Sequence, residues 1–195
     1  MSFDPALPLL RHFSIDSLPR EAWKNGRGWT RTLASHYQQG ELCWRVSLAD
    51  ITAAGPFSRF DGVDRTAVMV CGTELNLVGE TGTWHFNGPG SFARFPGEAA
   101  LHCDAPREPT QLWNVMVRRG RSQADLLIAA DEAVDLPCAP HVLVLAIGGR
   151  FKLTTTGTET LSLAAGDVLH LQGLTAWAQL APCEASSLVL VTALR

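Results

Sequence analysis

The 195-residue sequence has little of what marks several common classes of protein. Its formal net charge is −3, so it lacks the basic excess that is typical of nucleic-acid-binding proteins. Its longest apolar runs, residues 142–147 and 187–194, are far too short to cross a bilayer as a helix. The N-terminus carries Asp4 and no basic leader, which is unlike a signal peptide and predicts a cytoplasmic protein.

The cysteines exclude the usual cysteine-based architectures. There are five, an odd number, and they are widely spaced with no CxxC pair. Neither a disulfide framework nor a zinc site is expected from that pattern. We interpret them as reduced thiols that fill small apolar positions. They are Cys43, Cys71, Cys103, Cys138 and Cys183.

Helical signals are equally scarce, and residues 121–130 offer the one candidate helix. Strand signals are abundant: short, often alternating apolar segments are separated by glycine, proline, asparagine or aspartate. Apolar residues make up 46% of the chain, which is enough for a substantial core. Many short strands at this spacing predict an all-β sandwich or barrel.

An internal repeat sharpens this prediction. Residues 68–97 align without gaps on residues 144–173, with glycines coinciding at turns and apolar residues keeping a period of 2. The second copy contains the pattern L-x-x-G-D-V-L-H-L, which resembles a small jelly-roll barrel of the cupin type. The sequence therefore predicts a bicupin, an all-β chain with two jelly-roll β-barrels related by the repeat.

The domain boundaries follow from the repeat and from the proline-rich loops. We expect the first barrel, with a ligand pocket, in residues 1–119, and an irregular arm at residues 1–20 lying across it. Residues 120–140 are expected to form a crossover. Residues 141–195 are expected to form the second barrel, either alone or completed by N-terminal strands.

The metal ligands of cupin metalloenzymes are missing. Those proteins bind their ion through an H-x-H pair, a glutamate and a further histidine. Arg65, seven residues before Gly72, stands where the glutamate would be, and Ala100 stands at the place of the last histidine. His141 takes the Arg65 position in the second copy, and no H-x-H precedes it. Because a guanidinium cannot bind a metal and the remaining ligands are too few, we expect no metal, with His102 leaving one metal alternative open. No other cofactor is expected.

The arginine at this inner-wall position suggests a function. A buried guanidinium needs an anionic partner because its desolvation is costly, and its planar fork suits a carboxylate. Two partners remain open: a small carboxylate ligand, or an internal carboxylate such as Asp61 or Asp64. Asp64 is adjacent to Arg65 in a strand and so points to the other face.

Four segments of the first half resemble the HutD/Ves family, whose members are bicupin proteins associated with histidine utilisation in bacteria. The chain departs from the family pattern at Arg27, where glycine is usual, and at Ala22, where proline is usual. The second half shows only generic barrel patterning. The segments that carry the resemblance are AWKNGRGWTRTL at 22–33, WRVSLADI at 44–51, GPFSRFDGVDRTAVMVCG at 55–72 and LWNVMVRRG at 112–120.

The resemblance implies a non-enzymatic protein that binds a small molecule and limits the pathway by sensing an intermediate. The implied ligands are urocanate or a formylated or formiminated glutamate, all carboxylates, which agrees with the argument from Arg65. Lys24 and Asn25 lie on a glycine-bracketed loop, and Phe57 offers an aromatic face to a flat ligand. The expected ligand-binding residues are Lys24, Asn25, Arg45, Ser47, Phe57, Ser58, Arg65, Asn114 and Met116.

Two other functions stay open. A cupin-type enzyme acting on a small anionic metabolite needs an acid–base pair, and His102 with Asp104 or Glu98 is the arrangement the sequence offers. A structural protein with an empty barrel is the other alternative. No helix-turn-helix pattern is present, so direct contact with nucleic acid is not expected. The protein would regulate the pathway by sequestering an inducer or by contacting a regulatory protein partner. A homodimer is a further possibility that the sequence leaves open.

Overall fold

The structure is a computed structural model that describes residues 9–23, 26–156 and 160–195. These residues form strands and one 3-10 turn, Ile15–Ser17, so the chain is all-β as predicted. Within the same ranges there is no helix of the length and hydropathy that a membrane crossing needs. The strands are β1 (Leu9–Ser14), β2 (Glu21–Ala22), β3 (Gly28–Gln38), β4 (Glu41–Ile51), β5 (Gly55–Pro56), β6 (Val63–Cys71), β7 (Glu74–Gly79), β8 (Gly82–Asn87), β9 (Phe92–Pro96), β10 (Leu101–Cys103), β11 (Thr110–Arg118), β12 (Ala124–Ala130), β13 (Val134–Asp135), β14 (Ala139–Gly148), β15 (Arg150–Thr155), β16 (Leu161–Ala164), β17 (Asp167–Leu174), β18 (Ala178–Pro182) and β19 (Leu188–Leu194).

The strands fall into two compact units. The central unit is Leu18–Gln123, and the C-terminal unit combines Ala124–Arg195 with residues 9–17. The boundary lies inside the expected crossover, residues 120–140, which contains β12 and β13.

The central unit is built from two antiparallel sheets. The larger has the order β2-β3-β4-β11-β6-β9, and the smaller has the order β5-β10-β7-β8. Strand alternation sends every second side chain of each sheet into a shared core. The core residues are Ile51, Phe57, Ala67, Met69, Leu75, Leu77, Phe86, Ala93, Phe95, Leu101, Cys103 and Leu112.

The C-terminal unit also consists of two antiparallel sheets. Their orders are β1-β17-β14-β19-β12 and β13-β18-β15-β16. The core between them is apolar, with Phe151 as its one aromatic side chain among the described residues. Its other members include Val142, Val144, Leu153, Leu169, Leu171, Leu180, Val189, Val191 and Ala193.

The two units share one strand order. The run β4-β11-β6-β9 matches β12-β19-β14-β17, and β5-β10-β7-β8 matches β13-β18-β15-β16. The aligned turn glycines Gly90 and Gly166 both have a positive φ, 89° and 86°, which favours glycine at each turn. The repeat found in the sequence is therefore a repeat of topology. The sheets end in open edge strands and are not the closed barrels that the sequence predicted.

One part of the repeat alignment is wrong by a residue. Arg65 lies opposite Met116 on β11, and the same position of the other unit, opposite Ala193 on β19, is occupied by Val142 and not by His141. β6 and β14 share an equivalent register shift, which skips Val70 in one and Ile147 in the other. The ungapped alignment fails because two residues, 72 and 73, connect β6 to β7, whereas Gly149 alone connects β14 to β15. Because a shift of one residue exchanges the two faces of a strand, His141 points away from the core that contains Val142.

Two further expectations are corrected. Residues 121–130, the candidate helix, contain the strand β12, which pairs with β19 along its whole length and so satisfies its backbone in a sheet. The described part of the expected arm is not irregular. Residues 9–14 form β1, which pairs with β17 of the C-terminal unit from Leu9 opposite Gln172 to Ser14 opposite Asp167.

Candidate ligand-binding site

A cavity opens on the core-facing side of the larger sheet of the central unit. The inner cavity has a volume of about 70 Å³. An outer cavity of about 350 Å³ shares five of its lining residues and adds the exposed Glu21 and Ala22. The inner cavity is lined by Trp23, Thr30, Arg45, Ser47, Ala49, Phe57, Ser58, Phe60, Arg65, Asn114 and Met116.

Strand register brings the polar residues of this cavity together. Arg45, Met116 and Arg65 are neighbours in one row across β4, β11 and β6. The next row contains Ser47 and Asn114, and the rows beyond it are apolar and belong to the core. The site thus lies at the end of the sheet's core-facing surface where the side chains are polar instead of apolar.

The structure brings together seven of the nine residues predicted from the sequence. Lys24 and Asn25, the other two, lie outside the described residues. The seven that line the inner cavity are Arg45, Ser47, Phe57, Ser58, Arg65, Asn114 and Met116.

Four lining residues were missed: Trp23, Thr30, Ala49 and Phe60. Ala49 could have been found, because it continues the alternation of Arg45 and Ser47 along β4. The other three depend on contacts that join distant segments, for which the sequence has no local signal.

Arg65 is the central side chain of the site. It is only 6% exposed. Its Nη1 donates to the Ser58 carbonyl and its Nη2 donates to Asn114 Oδ1, both at 3.0 Å, while its Nε has no hydrogen-bond partner among the described residues. Burial lowers the pKa of Arg65 to about 10, and the charge of Arg45 acts in the same direction. The guanidinium therefore remains charged at neutral pH.

The internal ion pair considered above does not form in the described part of the chain. The Asp64 carboxylate accepts from Arg119 Nε at 2.6 Å, and the Asp61 carbonyl accepts from Arg118. Arg119 also binds Glu98, whose pKa it lowers to about 2. Among residues 9–23, 26–156 and 160–195, no carboxylate forms an ion pair with Arg65.

Aromatic rings enclose the Arg65 guanidinium. Its Cζ lies 5.5 Å from the ring centroids of Phe57 and Phe60 and 5.2 Å from that of Phe95. Trp23 packs edge-on against Phe57 at 6.4 Å, and its Nε1 donates to Thr30 Oγ1 at 2.7 Å. The rings attract the cation through their faces but carry no net charge, so the positive charge is shielded from water without being neutralised.

A second cation, Arg45, stands beside the first. Its Nη2 donates to Thr32 Oγ1 at 2.8 Å, and the residue lines both the inner and the outer cavity. The Cα atoms of Arg45 and Arg65 are two strands apart, about 10 Å. Glu21 lines only the outer cavity, so the residues that line the inner cavity carry two positive charges and no negative one.

The C-terminal unit does not repeat this chemistry. Equivalent register positions replace Arg45 by Asp125, Ser47 by Leu127 and Arg65 by Val142. In the same comparison Asn114 is replaced by Val191 and Met116 by Ala193, both of which belong to the apolar core. The two arginines that line the cavity are therefore not repeated at the equivalent positions of the C-terminal unit.

The acid–base pair proposed for an enzyme is not assembled. Asp104 accepts a hydrogen bond from Asn76, Glu98 binds Arg119, and His102 is an exposed residue of β10 outside the cavity lining. No group of three or more His, Cys, Asp or Glu side chains is arranged to hold a metal ion in the ranges that the structure describes. The absence of a cofactor stays a prediction.

Comparison with known sequences adds the evolutionary context. A family model described as HutD matches residues 16–190. Protein Ves of Citrobacter koseri is 29% identical over 163 residues, 83% of this chain and 83% of that protein. A Pseudomonas putida protein, named an uncharacterized 21.2 kDa protein in the hutC 3′ region, is 28% identical over 169 residues, 86% of this chain and 87% of that protein.

Solved structures agree on the fold. A conserved protein of unknown function from Pseudomonas aeruginosa PAO1 is 26% identical, with a TM-score of 0.82 over 95% of this chain and 98% of that one. A mutant of Bacillus subtilis oxalate decarboxylase is 12% identical, with a TM-score of 0.60 over 93% of this chain and 76% of that one. The second likeness concerns the fold alone, and it shows a cupin-like all-β architecture.

Proposed function

The chain belongs to the HutD family, and from that premise we propose that it is a non-enzymatic protein that binds a small carboxylate metabolite and regulates histidine utilisation. One observation carries the proposal: Arg65 is a buried cation whose described partners are two neutral oxygens. Burying a charge without a counter-ion costs several kcal/mol. A site that keeps such a charge next to a cavity is suited to an anion that supplies the missing negative charge.

The cavity chemistry favours a carboxylate with a flat or slender body. A guanidinium fork and a carboxylate form charge-assisted hydrogen bonds worth about 1.5–3 kcal/mol each. The inner cavity, at about 70 Å³, has room for a small group, and the outer cavity, at about 350 Å³, has room for the rest of a metabolite. Phe57 and Phe60 offer apolar surface to the part next to the carboxylate.

Histidine utilisation supplies carboxylates of this kind. One relative is named for its place in the hutC 3′ region. Urocanate, formylglutamate and formiminoglutamate are intermediates of that pathway, and each carries at least one carboxylate. We place the protein in the cytoplasm, where it would act by sequestering such an intermediate or by presenting its bound state to a regulatory protein.

We also propose that each unit is a version of the cupin jelly roll, so that the chain is a bicupin. The repeated strand order and the likeness to oxalate decarboxylase support this assignment. On this view Arg65 and its cavity take the place of the metal ligands in the central unit. In the C-terminal unit the positions equivalent to Arg65, Asn114 and Met116 carry apolar side chains.

A thermal-shift experiment with matched ligands tests the proposed function. Urocanate and formylglutamate are compared with their neutral methyl esters, because a ligand that binds only the native state raises the melting temperature. We expect the free acids to stabilise the protein and the neutral esters to have no effect. Equal effects of acid and ester, or no effect of either, would contradict carboxylate binding.

Analysis of the ligand in the same samples distinguishes a binding protein from an enzyme. Each acid is recovered after overnight incubation with the protein and analysed by chromatography. Unchanged ligand is expected from a sensor. Conversion of the ligand would instead favour the cupin-type enzyme acting on a small anionic metabolite.

A further inference from the structure

Strand β12 presents an open edge of the five-stranded sheet. It pairs with β19 on one side from Ala124 to Ala130, and in the described part of the chain no strand pairs with its other side. The equivalent strand of the central unit, β4, is covered at this place by the eleven-residue strand β3. The internal repeat therefore shows that this position accepts one more antiparallel strand.

The sequence of β12 carries little of the usual protection of an edge: its one charged residue is Asp125, which pairs with Arg195. Proteins discourage edge-to-edge pairing with charged side chains, lysine above all, and with proline, bulges or very short strands. The seven residues of β12 are ADLLIAA, with no basic residue, no proline and no glycine. Two other edge strands do carry such residues: β1 contains Arg11, and β9 contains Arg94 and ends at Pro96.

The apolar centre of the strand is also exposed. Leu127, the middle residue of β12, is 41% exposed. A weakly protected edge with an exposed leucine at its centre is suited to pairing with another strand. Nothing in this feature depends on the proposed ligand or on the Arg65 cavity.

We propose that β12 pairs antiparallel with β12 of a second copy of this chain, about a two-fold axis at Leu127. The strand is nearly palindromic, so this register opposes apolar residues: Leu127 faces Leu127 of the second copy, and Leu126 faces Ile128 of the second copy. Asp125 faces Ala129 of the second copy, so no like charges are opposed. The contact is isologous and joins two five-stranded sheets into one.

The mass of the full chain in solution is the first measurement. Sedimentation equilibrium at micromolar concentrations is expected to give twice the chain mass of 21.1 kDa. Leu127→Lys places two charges opposite each other and is expected to shift the mass toward the monomer, whereas Val78→Lys, at an exposed apolar residue of the central unit, is expected to leave it unchanged. Melting temperatures of both variants check that each remains folded.

Cysteine crosslinking tests the register itself. The parent for this experiment has the exposed Cys71, Cys138 and Cys183 replaced by serine. Directly opposed antiparallel residues have Cα atoms about 4.5–5.5 Å apart, within reach of a disulfide. Leu127→Cys is therefore expected to form a covalent dimer on mild oxidation.

Off-axis cysteines are the matched controls. Ala124→Cys faces Ala130 of the second copy and is expected to stay monomeric on a denaturing gel, while the double variant Ala124→Cys/Ala130→Cys is expected to crosslink. A monomer at every concentration overturns the proposal. A dimer in which Leu127→Cys crosslinks no better than Ala124→Cys overturns it as well, because the partner surface would then lie elsewhere.

Discussion

Arg65 Nη2 donates to Asn114 Oδ1 at 3.0 Å, and the Asn114 amide nitrogen donates in turn to the Leu112 carbonyl at 3.1 Å. These two bonds fix which end of the Asn114 amide faces the guanidinium. Asn114 therefore orients Arg65 without neutralising it, which is what distinguishes a site for an anion from an internal ion pair.

Replacing that neutral partner by a charged one of the same shape tests this relationship. Asn114→Asp puts a carboxylate next to Arg65, so we expect a higher melting temperature together with a loss of binding of urocanate or formylglutamate. Asn114→Ala removes the acceptor without adding charge, and we expect it to weaken binding less. Thermal unfolding gives the melting temperature of each variant, and calorimetry gives its affinity for the ligand. Binding by Asn114→Asp as tight as that of the wild type would contradict an anion held by Arg65.

The pH dependence of binding reports the charge of Arg65. Its pKa of about 10 means that the guanidinium is charged below that pH and becomes neutral above it. A ligand carboxylate loses its charge near pH 4. Formylglutamate has no group that titrates between about pH 6 and 9, so we expect its binding to be constant over that range and weaker above pH 10. Quenching of tryptophan fluorescence measures the binding. A midpoint near pH 6.5 would point to a histidine instead.

The burial of His170 predicts a separate effect, a loss of folding stability at acid pH. The residue is 4% exposed, its Nε2 lies 3.2 Å from His141 Nδ1, and burial lowers its pKa to about 4, with the charges of His141 and Arg11 adding to the effect. The folded state thus binds a proton less readily than the unfolded state, whose histidine has a pKa of about 6.5. The stabilisation is present above pH 6.5 and is lost as the pH falls toward 4.

Urea unfolding at several pH values between 7.5 and 4 measures this loss. The wild type is expected to lose free energy of unfolding steadily over that interval. His170→Gln, which does not titrate, is expected to lose less. An identical pH profile for the two proteins would show that His170 does not control the acid side of the stability curve.

Much of the candidate site could be predicted from the sequence, because strand alternation is local. The spacing of Arg45 and Ser47, and of Asn114 and Met116, puts each pair on one face of its strand. Arg65 was found by comparison with a cupin metal position. Trp23 and Phe60 were missed because they reach the cavity through tertiary contacts that leave no periodic signal.

The errors in the fold have one physical origin, the dependence of strands on distant partners. β12 was expected as a helix, since its apolar residues fit either period and only the pairing with β19 decides between them. The sequence left two places open for the N-terminal residues, an arm across the first barrel or strands that complete the second, because a free sheet edge has no sequence signature of its own. The pairing of β1 with β17 is the second of these. His141 was put on the wrong face because an ungapped alignment ignores the one-residue difference between the β6–β7 and β14–β15 connections.

Calorimetric titration of the wild type and of Arg65 variants with urocanate and with formylglutamate tests the central claim most directly. For the acid that the wild type binds, we predict that Arg65→Ala lowers the affinity by ten- to a hundredfold or more. This is the effect of losing about 1.5–3 kcal/mol of charge-assisted hydrogen bonding. Arg65→Lys should recover part of the affinity, because it keeps the charge but not the fork. Arg59→Ala, at an exposed arginine outside the inner cavity, should bind like the wild type. Unchanged affinity in Arg65→Ala, or an Arg65→Ala that unfolds while the wild type binds neither acid, would contradict the account.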